Sequence, residues 1–136
     1  MNIIEFIENP DLINNQSLSV AQKMALKAVY GLELTPEELR VFRKTTGLNR
    51  YASGREWSEA TFILGRRSGK SVQLASNIAL YEACKRKHKL SVGQVGIVMI
   101  VASEKKRQAR IVYDYCLGKL EKSKILRKMI KNVTSE

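Results

Sequence analysis

The sequence has no long apolar run and no leader-like N-terminus. Its 136 residues contain no stretch near the roughly 18 apolar residues that span a bilayer. Residues 1–10 carry two glutamates and no basic residue, whereas a secretory signal begins with positive charge. We therefore expect a cytoplasmic protein that does not enter a membrane. The length allows one ordinary domain.

Cysteine and histidine, the usual ligands of structural zinc, are scarce. Cys84 and Cys116 are the only cysteines, too far apart in sequence for a metal knuckle and too few for a disulfide framework. We expect both thiols to be reduced. The single histidine, His88, stands among lysines, where we expect it to be solvated or to face phosphate.

Acidic residues are also scarce in the second half of the chain. Residues 1–64 hold seven Lys/Arg against eight Asp/Glu, a net charge of −1. Residues 65–136 hold seventeen against five, a net charge of +12, which accounts for the total of +11. Such a field favours polyanions, either nucleotides or nucleic acid. The alternative is a solvated basic face.

The residue pattern predicts three helices near the N-terminus, the first ended by Pro10 and the other two begun by capping residues. We place them over residues 2–8, 19–30 and 35–46. Ser19 stands three residues before Gln22, which is the spacing of a capping box. Thr35 is a favourable cap, and Pro36 occupies the first helical position. With a polar connection after the third helix, residues 1–59 form an N-terminal helical segment.

The most informative stretch is an apolar run followed at once by a basic turn bounded by glycines. It reads Phe62-Ile63-Leu64-Gly65-Arg66-Arg67-Ser68-Gly69-Lys70-Ser71. The run over 60–64 predicts a strand, and the residues from Lys70 onward have helical spacing. Glycines let a loop turn its N–H groups towards a phosphate, and the helix adds its N-terminal amides and dipole. In such a loop, Lys70 contacts the β- and γ-phosphates and Ser71 ligates Mg²⁺.

The match to a phosphate-binding loop is not literal. The first glycine of the standard spacing is replaced by Leu64, and Gly65 follows one residue later. The alternative interpretation is a surface turn between a strand and a helix.

Beyond the loop, the pattern predicts an α/β arrangement. We expect a helix to about Cys84, a parallel strand over 95–102, a helix capped by Ser103 and a last helix over 121–131. The apolar run at 95–102 does not alternate, which is typical of a strand covered on both faces. Two strands make at most a fragment of a parallel sheet, so we expect an incomplete core over residues 60–136.

A carboxylate that could activate water is missing. Hydrolysis by phosphate-loop enzymes uses an apolar strand that ends in Asp. The run at 95–102 is followed by Ser103 and Glu104, without an Asp. Asp114 follows an apolar pair but shares the helical spacing of its neighbours, so we interpret it as an acid on a helix surface.

These residues resemble the large terminase subunit, the ATPase motor that packages DNA into the heads of tailed bacteriophages. The most specific element is the variant loop Gly65-Arg66-Arg67-Ser68-Gly69-Lys70-Ser71. The resemblance covers about residues 18–130. Its flanking elements are Leu18-Ser19-Val20-Ala21-Gln22, Tyr30-Gly31-Leu32, Thr46-Gly47, Glu59-Ala60, Val101-Ala102 and Gln108-Ala109-Arg110.

The resemblance implies a RecA-like phosphate-loop ATPase core, with ATP and Mg²⁺ as cofactors. It implies that Arg66 acts in cis on the γ-phosphate, that Gln22 contacts adenine and that Ser71 binds the metal. The nucleotide-binding residues are then Gln22, Gly65, Arg66, Arg67, Ser68, Gly69, Lys70 and Ser71.

The family's partners are double-stranded DNA, the portal protein and the small terminase subunit. The family's nuclease domain has no counterpart here. We therefore expect an N-terminal part of a phage or prophage ATPase and endonuclease that is inactive by itself.

Two other functions fit the residues. The first is a non-catalytic basic module that binds DNA through residues 85–89 and through the cluster at the start of the fifth helix. The cluster consists of Lys105, Lys106, Arg107 and Arg110. The second is another phosphate-loop enzyme, such as a helicase-like ATPase.

Overall fold

The three predicted helices near the N-terminus are present, and each begins at a capping box, which was predicted for the second. They are α1 (Ile3–Glu8), α2 (Val20–Val29) and α3 (Pro36–Thr46). Their caps are Asn2, Ser19 and Thr35. In each box, the cap side chain accepts from a backbone N–H three residues later, and that residue's side chain accepts from the cap N–H. The computed structural model describes residues 1–101 and 106–133.

The helix after the basic turn is confirmed, but its first part is wider than an α-helix. Residues Lys70–Ala75 form a π-helix, and α4 (Ser76–Cys84) continues from it. A π-turn is rare and is found mostly as a single turn, frequently at functional sites. Here it directly follows the basic turn.

The C-terminal part contains α5 (Lys106–Lys122) and a short 3₁₀-helix (Leu126–Met129). The predicted final helix over 121–131 is therefore wrong, because α5 ends at Lys122 and only one tight turn follows. The predicted cap of α5, Ser103, lies outside the described residues. Asp114 lies in α5 with an exposed side chain, as predicted.

The predicted strands are absent from the part of the chain that the structure describes. Within residues 1–101 and 106–133 the chain forms helices, turns and irregular segments, without a strand. The α/β class, the parallel sheet and the RecA-like core that depends on it are therefore wrong for this structure. The runs at 60–64 and 95–101 were the basis of that prediction, and both are irregular here.

The physical reason is that a strand needs a partner. A strand is held by the N–H and C=O groups of its neighbour, and apolar composition does not supply that neighbour. No backbone hydrogen bond within the described structure joins the run at 60–64 to the run at 95–101. Ile63 is 96% exposed and Val95 83%, while Ile100 packs against the core.

One apolar core draws on helices from both ends of the chain. Its fully or nearly fully buried members include Ile3, Phe6, Ile7, Leu26, Leu74, Leu80 and Leu126. The ring of Tyr81 in α4 packs against the rings of Phe6 in α1 and Tyr30 at the C-terminal end of α2. The distances between ring centroids are 5.7 Å and 5.2 Å. Because α2 packs on the π-helix, the first turn of α2 lies beside the basic turn.

Candidate phosphate-binding site

The basic turn between residues 65 and 70 has two residues in the left-handed region. Arg67 has φ 62° and Gly69 has φ 77°. A Cβ on Gly69 would lie 2.8 Å from Nε2 of Gln22 and 3.0 Å from Cγ of Gln73, so this position requires glycine. Gly65 does not have this requirement, since a Cβ there would meet no atom within 4 Å. Left-handed residues are common in turns whose N–H groups converge on an anion.

The polar groups of the turn are largely unused. The backbone N–H groups of residues 66–72 donate to no acceptor in the described ranges. The hydroxyl of Ser68 is buried and has no hydrogen-bond partner there either. Buried polar groups in native proteins normally have a partner, so this hydroxyl can serve a ligand. The amides, which have no described acceptor, can donate to the same ligand. The first amides of the π-helix add the positive end of a helix dipole.

A cavity of about 320 Å³ opens beside these groups. Its walls are formed by Arg67, Ser68, Gly69, Lys70, Ser71, Val72, Ile111 and Tyr115. The first six come from the turn and the π-helix, and the last two come from α5. The named walls carry two cations and no acid, so the cavity favours a negatively charged ligand.

Gln22 forms a hydrogen bond with the turn at Ser68. Its Oε1 accepts from the N–H of Ser19 at 2.9 Å, and its Nε2 donates to the carbonyl of Ser68 at 2.9 Å. A second contact ties the π-helix to the loop before α2: the side chain of Gln73 accepts from Asn15 and donates to Ser17 at 3.1 Å. Gln22 thus contacts the basic turn itself, and Asn15 and Ser17 contact the π-helix that follows it.

A lysine from α5 supports the helix that follows the turn. Nζ of Lys119 donates to the carbonyl of Val72, to Oγ of Ser76 and to Oδ1 of Asn77. Burial lowers the pKa of Lys119 from 10.5 to about 8, because the ammonium loses hydration. Ser76 and Asn77 are themselves fully buried, so the lysine satisfies acceptors that water does not reach.

The structure brings together five of the predicted nucleotide-binding residues. Arg67, Ser68, Gly69, Lys70 and Ser71 all line the cavity. Gly65 and Arg66 are exposed and are not among the residues that line it. Gln22 is not among the lining residues either, and its amide donates to the carbonyl of Ser68.

The magnesium prediction rests on Ser71 alone. Its side chain is half-buried at the cavity wall. The part of the chain that is described contains no group of three His, Cys, Asp or Glu residues that could hold a metal ion. Mg²⁺ commonly retains waters and binds through substrate phosphates, so Ser71 and a bound triphosphate fit this ion better than a site built from protein carboxylates.

The predicted DNA-binding cations at the start of α5 are only partly described. Lys105 lies outside the described residues, and so do the side chains of Lys106 and Arg107. Arg110 is about half exposed and pairs with Asp114 at 3.5 Å, one helical turn away.

The other basic cluster, residues 85–89, is partly engaged within the protein. Arg86 pairs with Glu82 at 2.9 Å and with Glu56 at 2.7 Å. Glu82 also lies 3.2 Å from His88. The lysines of this cluster are exposed. They are the part of it that a polyanion can reach.

Sequence reasoning missed the contributions of α5 to the site. Ile111 and Tyr115 are 44% and 42% exposed and line the cavity. Lys119 was not singled out. The available signal was its spacing, since it lies three residues after the buried Cys116 and seven after Val112. Its acceptors are more than 40 residues away in sequence, so the sequence carried no sign of them.

Comparison with known proteins identifies no family for this chain. No family model, no curated protein and no solved structure matches the chain. The resemblance to the large terminase subunit stays a prediction from the quoted motifs. Among the helices described here, none is long and apolar enough to cross a membrane.

Proposed function

We propose that this chain binds the phosphates of ATP, with Mg²⁺, as the nucleotide-binding part of a terminase-like DNA-packaging ATPase. The observation that supports this most is the turn at 67–71. Its free amides, the unpartnered Ser68 hydroxyl and Lys70 meet at one cavity that lies at the start of a helix. In this proposal the protein acts in the cytoplasm of a bacterial host.

Each residue of the turn has a distinct role in the proposal. The amides and the Ser68 hydroxyl donate hydrogen bonds to phosphate oxygens, and Lys70 adds a mobile positive charge. Mg²⁺, held by Ser71 and the phosphates, supplies charge neutralisation when bound. Arg66 lies outside the cavity walls, so its role on the γ-phosphate requires a change in the turn. The proposal is limited to binding, because no acid is among the described residues that line the cavity.

The test is nucleotide binding by a Lys70→Ala variant. We expect Lys70→Ala to abolish binding of a fluorescent ATP analogue measured with Mg²⁺, because the point charge at the phosphates is lost. Lys87→Ala is the matched control, since Lys87 is an exposed lysine of the other basic cluster and should leave affinity unchanged. Unchanged affinity in Lys70→Ala would remove the phosphate-loop assignment.

DNA binding is the second candidate, and the charge distribution favours it. The net charge of +12 over residues 65–136 and the exposed lysines of residues 85–89 suit a polyanion. Affinity for double-stranded DNA should then fall steeply with salt concentration and be indifferent to ATP. Nucleotide-dependent affinity would count against a separate DNA-binding module.

A further inference from the structure

The side-chain amide of Gln22 forms a hydrogen bond at each end. Its Oε1 accepts from the backbone N–H of Ser19, and its Nε2 donates to the backbone carbonyl of Ser68. A backbone N–H can only donate and a backbone carbonyl can only accept. The two contacts therefore determine which end of the amide is oxygen and which is nitrogen.

The contact with Ser68 bears directly on the shape of the turn. Ser68 stands between the two left-handed residues, Arg67 and Gly69. The Gln22 amide also lies so close to Gly69 that a Cβ there would meet Nε2 at 2.8 Å. One side chain from the first turn of α2 thus holds the carbonyl of Ser68. Neither Ser19 nor Gln22 is among the residues that line the cavity.

We propose that Gln22 is a positioning residue for the phosphate-binding turn, acting through the Ser68 carbonyl, and does not read the base of the nucleotide. This inference rests on the proposed function, because it concerns the same turn. Each end of the amide keeps one further hydrogen-bonding position, but Gln22 is not among the residues that line the cavity, so its contacts in the structure bear on the turn and not on a ligand held there. As a positioning residue it keeps both backbone contacts and acts equally on every ligand that carries the phosphates.

The experiment compares three ligands: ATP, GTP and inorganic tripolyphosphate, each with Mg²⁺, by calorimetric titration. Gln22→Met keeps the size of the side chain and removes both contacts. We expect it to raise all three dissociation constants by the same factor, about fivefold, the size expected from the loss of one hydrogen bond. Tripolyphosphate has no base, so its weakened binding would separate positioning from base reading.

Ser19→Ala is the matched control. It removes the other bond of the same capping box, from the N–H of Gln22 to Oγ of Ser19, and leaves the contact with Ser68 in place. The melting temperatures of Ser19→Ala and Gln22→Met should both fall. The three dissociation constants of Ser19→Ala should stay at the wild-type values. Gln22→Glu preserves the capping box but cannot donate to Ser68, so this variant should fold and still bind all three ligands more weakly.

Two results would overturn the inference while leaving the proposed function intact. One is weakened binding of ATP alone, with GTP and tripolyphosphate unchanged, which would make Gln22 a base-reading residue. The other is wild-type affinity for all three ligands in Gln22→Met or Gln22→Glu. Failure of the wild-type protein to bind any of the three would overturn the proposed function and the inference together.

Discussion

Replacing Lys119 by methionine should make the stability of the protein depend differently on pH. Methionine keeps most of the apolar stem but removes the amine that donates to Val72, Ser76 and Asn77. Val72 keeps another partner, because its carbonyl also accepts from the Ser76 hydroxyl at 2.9 Å. The chief loss is at Oδ1 of Asn77, a fully buried acceptor that is left without its donor.

Two opposing effects set the magnitude. An unsatisfied buried acceptor costs about 2 kcal/mol. Burial of the ammonium, which lowers the pKa from 10.5 to about 8, costs the wild type about 3 kcal/mol at neutral pH. We take about half of that because the side chain is only partly buried and solvent screens it. The substitution removes this second cost, so the net loss at pH 7 is about 1 kcal/mol or less.

The pH dependence follows from the protonation states. Below pH 8 the amine is protonated in both the folded and the unfolded wild type. Between pH 8 and 10.5 the folded protein has released the proton while the unfolded chain still binds it, so wild-type stability rises with pH. The variant lacks this rise. The difference in unfolding free energy between the wild type and Lys119→Met should therefore grow by about 1 kcal/mol between pH 7 and 9.5.

The assay is urea unfolding followed by circular dichroism at pH 7, 8.5 and 9.5. Lys122→Met is the control, because Lys122 is an exposed lysine of the same helix, and its free energy of unfolding should change by less than about 0.5 kcal/mol. A gap between wild type and Lys119→Met that stays constant from pH 7 to 9.5 would refute the reasoning. The amine would then have no lowered pKa in the folded state.

Two further substitutions test the turn and the packing of α3. Gly69→Ala should cost about 1–2 kcal/mol because of its left-handed φ, and should weaken triphosphate binding; Gly65→Ala should do neither. Equal melting temperatures and affinities for these two variants would contradict the observed turn. Glu38→Gln should cost about 2 kcal/mol at pH 7, since the buried carboxylate pairs with Lys27 at 2.8 Å. Burial raises the pKa of Glu38, but hydrogen bonds from Lys27 and Thr35 outweigh it and lower the pKa below 4.5. The ion pair's contribution is therefore present above pH 4.5 and lost as pH falls through the folded-state pKa, so the variant should lack this acid-dependent loss in unfolding titrations.

The helices near the N-terminus could be predicted because their signals are local. Ser19 with Gln22, and Thr35 with Glu38, satisfy each other within one turn. The caps therefore work without the rest of the chain. The same applies to the basic turn, whose two glycines, Gly65 and Gly69, lie four positions apart.

The sheet could not be predicted in this way because pairing is not local. The apolar runs at 60–64 and 95–101 have the composition of buried strands, but their backbone groups find no partner strand in the described structure. Composition predicts what a segment would do if it were covered. Whether a second strand lies beside it is decided by the path of the whole chain.

The sequence by itself determined the capped helices and the basic turn, because each depends on residues within a few positions of one another. Only the tertiary structure decided what surrounds the turn. It brought the Gln22 amide to the carbonyl of Ser68, 46 residues away, and the Lys119 amine to Ser76, 43 residues away. Such contacts depend on how α2 and α5 pack against the π-helix and α4. Packing is a property of the assembled apolar core, which no single stretch of the sequence encodes.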